Sequence, residues 1–373
     1  MEKALKENTK IERESNLELY RILVMLLVIA HHYVVNSGLL KEMYAHPNAI
    51  RTLFLYLFGA WGKTGINCFV LITGYFMCKS QVTFKRVAKL LLEIQFYKLL
   101  SCSLFWLTGY DRLTVEEFLK MLLPITAATT NFSGCYVLFL LFVPFINVLI
   151  NHLSERKHFL LMSLCLLVYT VGGTISWFSV TMNYIMWFSV LYLVASYIRI
   201  YPKKTFENNR FWGGAMVVSM LLSVISIVLR VDMGEISSVY YYISDCNKIL
   251  AVTNGLTSFL FFKTLNIGYN KWINMLGATT FGVLMIHANS DTMREWLWRD
   301  VLNNLGMYSS PWLPLHAAFS VCSIFMVCSA IDLVRICVIE KPFFCLWDKY
   351  WNQFASWYGA VEKKIMNKLQ IEE

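Results

Sequence analysis

The sequence predicts an all-α, polytopic transmembrane helical bundle with about ten spanning helices and both termini in the cytoplasm. Hydrophobic residues make up 57% of the 373-residue chain, and charged residues only 15%. A helix needs about 20 mostly apolar residues to cross a bilayer core roughly 30 Å thick. Stretches that meet this requirement are 17–36, 53–78, 88–109, 135–151, 159–178, 183–201, 211–229, 244–262, 272–290 and 312–338.

Lysine and arginine are distributed unequally over the loops that join these stretches. When alternate loops are assigned to opposite sides of the membrane, with the N-terminus inside, most Lys and Arg residues fall on the inner side. Basic loops remain in the cytoplasm, so this bias predicts the orientation. It also accounts for the formal net charge of +9 without a nucleic-acid partner.

The chain divides into three expected regions. Residues 1–16 form a charged cytoplasmic segment without the small-residue cleavage site of a secretory signal. Residues 17–338 form the ten-helix membrane domain, and residues 339–373 form an amphipathic cytoplasmic tail with tryptophans among lysines. We therefore expect a multi-pass protein of the inner (cytoplasmic) membrane, with the lipid bilayer as its surroundings.

The first predicted helix carries ionisable side chains on one face. Each residue turns the helix by about 100°, so Arg21 and His32 point within about 20° of each other, with Glu18 beside them, whereas His31 lies about 80° away. Ionisable groups inside spans usually face a bundle interior or a water-filled cavity. His32 is the candidate catalytic base, because a neutral imidazole can accept a proton from a hydroxyl. The alternative is that Arg21 extends to the lipid headgroups and His32 lies at the interface.

Other polar groups have both a structural and a functional interpretation. Asn67 lies in a glycine-rich second stretch, where it should hydrogen-bond across helices in a tight packing seam. The inward cluster of Lys85, Arg86 and Lys89 is typical of a topology signal, but it could also hold phosphates. His287, near the outer end of the ninth stretch, is either a packing residue or a support for the site.

The ten cysteines include no C-x-x-C pair and no zinc-like spacing with histidine. Cysteines of this kind are usually small buried hydrophobic residues. The sequence therefore predicts neither a metal site nor a disulfide framework.

Several of these segments together resemble the acyltransferase-3 family of bacterial integral-membrane acyltransferases. Arg21 and His32 match its R-x10-H signature, and the opening stretch looks like the branch found with capsule and exopolysaccharide genes. "GINCFVLITGYF" is similar to the second-helix motif, "KRVAK" to a basic pair, "YVLFLLFVPFIN" to the fourth-helix segment, and "EKP" to the C-terminal motif. The sequence departs from the family pattern at Asn67, where many members have Asp, and at Lys89, where they have Arg.

The resemblance implies an O-acetyltransferase-like enzyme that moves an acyl group, usually acetyl, from cytosolic acyl-CoA to a sugar hydroxyl outside the membrane. Its acceptor would be a polysaccharide or the lipid-linked precursor, and no cofactor would be bound permanently. Arg21, Lys85, Arg86 and Lys89 would hold the donor phosphates, with Glu18, Asn67 and His287 in support. His32 would either deprotonate the acceptor or carry the acyl group itself. Assembly into a homo-oligomer is left open.

Two other classes of function fit parts of the sequence. A proton-coupled secondary transporter could use His32 and Glu18 as a relay. A non-catalytic scaffold of a glycan-assembly complex would need neither the basic cluster nor the polar stripe. Matching broken helices in the two halves would favour transport, but the glycine-rich second stretch has no obvious counterpart.

Overall fold

The computed structural model describes residues 14–112, 114–123, 125 and 131–369. These residues form helices and no strand. The predicted segment 1–16 therefore lies mostly outside the described residues. The α-helices are α1 Ser15–Val35, α2 Leu39–Ala45, α3 Ile50–Phe58, α4 Gly62–Met77, α5 Phe84–Leu107, α6 Val115–Met121, α7 Phe132–His152, α8 Glu155–Leu166, α9 Tyr184–Ile200, α10 Asn209–Asp232, α11 Ile249–Lys263, α12 Lys271–Ala278, α13 Thr280–Ala288, α14 Asp291–Glu295, α15 Leu313–Arg335 and α16 Lys341–Leu369.

The predicted all-α, multi-pass helical bundle is confirmed. Six helical stretches of the described chain are long and apolar enough to cross a bilayer: Ser15–Val35, Ile50–Met77, Phe84–Leu107, Phe132–His152, Asn209–Asp232 and Leu313–Trp351. The other four predicted spans coincide with shorter or interrupted helices, such as the α12–α13 pair, which breaks at Thr279. The number of spans and the side on which each terminus lies remain predictions.

The surface of the bundle is apolar where the lipid is expected. Helix α10 is little buried, and its outer face carries Val217, Val218, Leu221, Leu222, Ile225 and Leu229, each about half exposed. Such a face is costly in water and suits the hydrocarbon core of a bilayer. The acyl chains of the lipid would therefore cover this face of α10, where a soluble protein would need another helix.

Helix α1 lies at the centre of the bundle and contacts α4, α11, α12, α13 and α15. Its approach to α4 depends on glycine, since a Cβ at Gly65 would overlap Val28 of α1. On the other side of α4, a Cβ at Gly74 would overlap Ala195 of α9. The predicted tight seam is thus present on two faces of α4, and it holds α1 firmly in the interior.

The tail begins as a continuation of α15. A π-helical turn, Ile336–Glu340, leads from α15 into the long helix α16. Trp347 and Trp351 of α16 stack on each other and on Phe84 at the start of α5. The first part of the tail is therefore docked against α5, and its position on the cytoplasmic face stays a prediction.

Candidate active site

A pair of hydrogen-bonded histidines joins α1 to α13. His32 Nδ1 lies 3.0 Å from His287 Nε2, and His287 Nδ1 lies 2.6 Å from the carbonyl oxygen of Val283. A carbonyl oxygen only accepts, so His287 Nδ1 carries the hydrogen and donates it. In a neutral His287, Nε2 then accepts from the Nδ1–H of His32. This chain of donors leaves the lone pair of neutral His32 on Nε2, which is the form that a general base or nucleophile requires.

His31 lies beside this pair but is tied to a different element. Its Nδ1 donates to the carbonyl oxygen of Gly59 at 2.7 Å, at the break between α3 and α4. A Cβ at Gly62 would overlap the His31 ring, so the glycine leaves room for that ring. The helical wheel places His31 off the polar stripe, yet both histidines line the same cavity. Their hydrogen-bond partners, rather than their direction alone, distinguish them.

The space next to these histidines is a cavity of about 300 Å³, which we call the histidine cavity. Its polar lining comes from His31, His32, Lys63, Lys98, Asn131, Ser133, Asn289 and Arg294. The rest of its wall is apolar. Lys63, Lys98 and Arg294 were not singled out from the sequence, although a lysine in the middle of an apolar stretch is a signal that could have found Lys98.

A second cavity, of about 380 Å³, lies further along α1 towards its N-terminal end. We call it the basic cavity, because Arg21, Arg86 and Lys89 line it and outnumber the one acidic residue of its described lining, Glu93. Met25, Phe69, Phe132 and Leu284 line both cavities and form the apolar waist that separates them. Arg21 and His32, about 16 Å apart along α1 at 1.5 Å per residue, therefore belong to neighbouring cavities on one side of the helix.

Arg21 is held by Glu18. Arg21 NH1 lies 3.4 Å from Glu18 Oε1, and the Glu18 side chain is buried against Gly277 of α12. Glu18 is not among the residues that line either cavity. Its predicted role as a partner of Arg21 thus agrees with its position in the structure.

The other three cations predicted for the donor have different surroundings. Arg86 donates to the Ser80 hydroxyl at 3.0 Å and to the Gln81 carbonyl at 3.1 Å, and Lys89 pairs with Glu340 at 2.5 Å. Lys85 instead pairs with Asp348 of α16 at 2.5 Å and is not among the residues that line the basic cavity. The structure brings Arg86 and Lys89 to Arg21, and leaves Lys85 at the tail.

A buried ion network next to the basic cavity was missed in the sequence. Arg335 lies 2.7 Å from Asp332, 3.1 Å from Glu93 and 2.9 Å from Glu340, and Tyr97 donates to Asp332 at 2.6 Å. Glu340, the glutamate of the "EKP" motif, thereby bridges Arg335 and Lys89. The signal was the presence of charged residues inside the apolar stretches of α5 and α15, where ion pairing is the usual reason for a charge.

Asn67 is fully buried and forms a junction between helices. Its amide donates to the carbonyl oxygens of Cys246 at 2.7 Å and Ala251 at 3.0 Å, and its Oδ1 accepts from Trp187 Nε1 at 2.9 Å. Asn67 therefore bonds across helices as predicted, and it lines neither cavity. An ionised aspartate here could not donate to the two carbonyl oxygens.

A comparison of the chain with known protein families identifies the family to which it belongs. The model of a family described as an acyltransferase domain matches residues 14–333, which include both cavities. The chain belongs to the acyltransferase-3 family. Comparisons with curated proteins and with solved structures give no match.

Membership of this family makes the chain a multi-pass membrane acyltransferase. That result favours the enzyme over the transporter and the scaffold considered from the sequence. The family match ends before Glu340, so the ion pair between Lys89 and the tail lies partly outside the matched region.

Proposed function

We propose that this acyltransferase moves an acetyl group from acetyl-CoA in the cytoplasm to a hydroxyl group of an extracytoplasmic polysaccharide or of its lipid-linked precursor. The enzyme would act in the inner membrane, and the glycan would belong to a capsule or exopolysaccharide. The observation that carries the proposal is the pair of neighbouring cavities, one lined by three cations and the other by His32, which its hydrogen bond to the buried His287 orients.

The basic cavity suits the nucleotide end of the donor. Arg21 and Arg86 offer planar guanidinium groups that can form paired hydrogen bonds with phosphate, and Lys89 adds a point charge. The flexible pantetheine arm would pass through the apolar waist, so that the thioester reaches His32. The predicted orientation places the basic end of α1 on the cytoplasmic side, where acyl-CoA is found.

The histidine cavity suits the transfer step. The acceptor hydroxyl gives its proton to His32 Nε2 as its oxygen attacks the thioester carbonyl carbon, and the carbon–sulfur bond then breaks to release the thiolate of coenzyme A. His287 accepts the Nδ1–H bond of His32 and so holds the imidazole in the required orientation. The imidazolium returns the proton to the thiolate. The same lone pair also serves an acyl-histidine route, in which Nε2 itself attacks the thioester.

The experiment is a comparison of surface glycans from strains with and without this gene, by mass spectrometry and NMR. We expect O-acetyl groups to disappear with the gene and to return with the wild-type gene, but not with His32→Ala inserted in the membrane at the same level. A glycan with the same O-acetyl content in all three strains would overturn the proposal. Purified protein with radiolabelled acetyl-CoA provides the corresponding rate.

A further inference from the structure

The histidine cavity has an unusual charge for a space inside a membrane protein. Lys63 of α4, Lys98 of α5 and Arg294 of α14 all line it, and its described lining residues include no Asp or Glu. Residues 124 and 126–130, which precede α7, are Pro, Thr and Ala in the sequence and add no acid. Lys63 and Lys98 lie within predicted spans, where a cation usually marks a functional path, so this cluster would suit a negatively charged ligand.

Protein groups hold the two lysines in place. Lys98 Nζ donates to the carbonyl oxygens of Lys120 at 2.7 Å and Leu123 at 2.9 Å, which are themselves uncharged. Lys63 Nζ donates to the Tyr184 hydroxyl at 2.7 Å and lies 3.6 Å from Asp245, a residue outside the cavity lining. These contacts fix the positions of the ammonium groups.

Arg294 has a partner that a ligand can replace. Its NH1 lies 2.7 Å from Asp291, and its NH2 donates to the Ala288 carbonyl at 3.0 Å. The Asp291 side chain is 98% exposed, so water screens this ion pair, and such pairs contribute little. A carboxylate or phosphate inside the cavity would form a better-shielded, charge-assisted pair with the same guanidinium group.

The donor does not account for this cluster. In the proposed function, the phosphates of acyl-CoA are bound by Arg21, Arg86 and Lys89, on the far side of the apolar waist. The cations beside His32 therefore face the acceptor. Asp245 and Asp291 approach Lys63 and Arg294 from outside the cavity lining, whereas a neutral sugar would bring no negative charge to them from inside the cavity.

We propose that the acceptor carries an anionic group, which Lys63, Lys98 and Arg294 hold while His32 acts on a nearby hydroxyl. This inference rests on the proposed function and names the acceptor class for the same site. The anion is either the carboxylate of an acidic sugar or the phosphate of a lipid-linked precursor, because both offer oxygen atoms to the same donors. Charge complementarity would also select against neutral glycans.

The first test measures which substrate depends on these cations. We expect Arg294→Gln and Lys98→Met to raise the KM for glycan roughly ten- to hundredfold, the effect of losing a charge-assisted hydrogen bond, and to leave the KM for acetyl-CoA unchanged. Arg294→Lys should recover part of the loss. Arg299→Gln is the matched control, because Arg299 is an exposed arginine that pairs with Glu295 and does not line the cavity. An increase in the KM for acetyl-CoA instead would assign the cluster to the donor and overturn the inference.

The second test identifies the anion. The probes are the polysaccharide of the source strain made without this gene, the same material after chemical reduction of its carboxyl groups, and the diphosphate-linked precursor, each with purified full-length protein and acetyl-CoA. Loss of transfer on carboxyl reduction supports an acidic sugar, and transfer only to the diphosphate-linked form supports phosphate. Equal transfer to a reduced, phosphate-free glycan would overturn the inference while leaving the proposed function intact. If wild-type protein transfers acetyl to none of the three, the proposed function fails, and this inference fails with it.

Discussion

At the scale of single residues, the hydrogen bond of His287 to a backbone carbonyl oxygen determines the tautomer of His32. The carbonyl of Val283 determines which nitrogen of His287 bears hydrogen, and His287 in turn determines which nitrogen of His32 is free. A lone histidine would populate both tautomers. In the proposed function, His287 therefore positions the base atom of His32, in the way that a buried carboxylate orients the histidine of a serine hydrolase.

Replacing His287 tests this positioning role. His287→Phe removes the acceptor for the His32 Nδ1–H bond, so we expect kcat to fall roughly 10- to 100-fold, less than the loss of a whole general base, which is worth about 10²–10⁴. His287→Gln keeps an oxygen atom near the position of Nε2 and should recover most of kcat. The KM for acetyl-CoA should change little in either variant, because His287 does not line the basic cavity. Equal losses in the Phe and Gln variants, with intact protein, would contradict the positioning role.

His31 provides a matched comparison on the adjacent residue. His31→Ala removes its bond to the Gly59 carbonyl, so we expect a loss of about 1 kcal/mol in stability. Acetyl transfer should remain mostly intact, whereas His32→Ala should abolish it. The thermal unfolding temperature in detergent and the rate of acetyl transfer separate the two effects. If both alanine variants lose transfer equally, then His31 shares the chemistry.

At the scale of secondary structure, α5 is joined to α15 by a buried ion network and to the tail helix α16 by an exposed ion pair. Arg335 binds Asp332, Glu93 and Glu340 in a buried network, whereas Lys85 pairs with Asp348 at the exposed end of α5. Removal of one partner from a buried ion pair leaves an uncompensated charge, but removal from an exposed pair is mostly screened. The same type of contact therefore has two very different energies along one helix.

This difference predicts the stability of two charge-removing variants. Arg335→Met should destabilise the protein by about 3–5 kcal/mol, since three carboxylates lose their common partner. Lys85→Met should change the unfolding temperature little. Thermal unfolding of both variants in the same detergent is the measurement. Equal unfolding temperatures would show that the Arg335 network contributes no more than an exposed pair.

The elements could be predicted from the sequence more easily than their contacts. Hydrophobic length predicted the apolar spans, and the turn angle of a helix placed Arg21 and His32 on one side of α1. The contacts of His287 with His32 and of Glu340 with Lys89 could not be assigned in this way, because the two residues of each pair are far apart in the sequence and meet only through packing. The break between α3 and α4 was also missed, since the apolar stretch continues through Gly59 and Trp61. Hydrophobic periodicity predicts which residues share a face of one helix, but it does not predict which residues of different helices come into contact at the site.

At the scale of the whole molecule, the two cavities and the waist between them lie in line along α1, and in the proposed function they form the path of the donor arm through the bundle. The residues of the waist come from α1, α4, α7 and α13, so the path is bounded by helices that are far apart in sequence. An apolar waist admits a thin, flexible chain but offers no partner for phosphate or for a hydrated sugar. Donor and acceptor would therefore meet only through the acyl group and the arm that carries it.

Narrowing the waist should separate binding from transfer. Leu284→Trp adds a large ring between the cavities, so we expect acetyl transfer to be lost while acetyl-CoA still binds. Leu284→Met, of similar volume, is the control and should keep most of the activity. Binding of labelled acetyl-CoA and the rate of acetyl transfer are the two measurements. Transfer at the wild-type rate by correctly folded Leu284→Trp would exclude this path.

The donor end of the path can be tested by its charges. Arg21→Ala and Arg86→Ala should each raise the KM for acetyl-CoA roughly tenfold or more, because each removes charge-assisted bonds to phosphate. Lys85→Ala should have a smaller effect, since Lys85 does not line the basic cavity. Initial rates over a range of acetyl-CoA concentrations provide the comparison. An equal effect at Lys85 and Arg86 would mean that the donor extends beyond the cavity towards α16.

The ion pairs of Glu340 with Lys89 and Arg335 can form only late in the synthesis of the chain. Helix α5 enters the membrane early in translation, yet Lys89 and Arg335 obtain this carboxylate only after the ribosome has passed residue 340. Until then, Lys89 and Arg335 lack one of the carboxylate partners that they have in the folded protein. In the proposed function, a nascent chain would thus hold an incomplete donor site until residue 340 has been made.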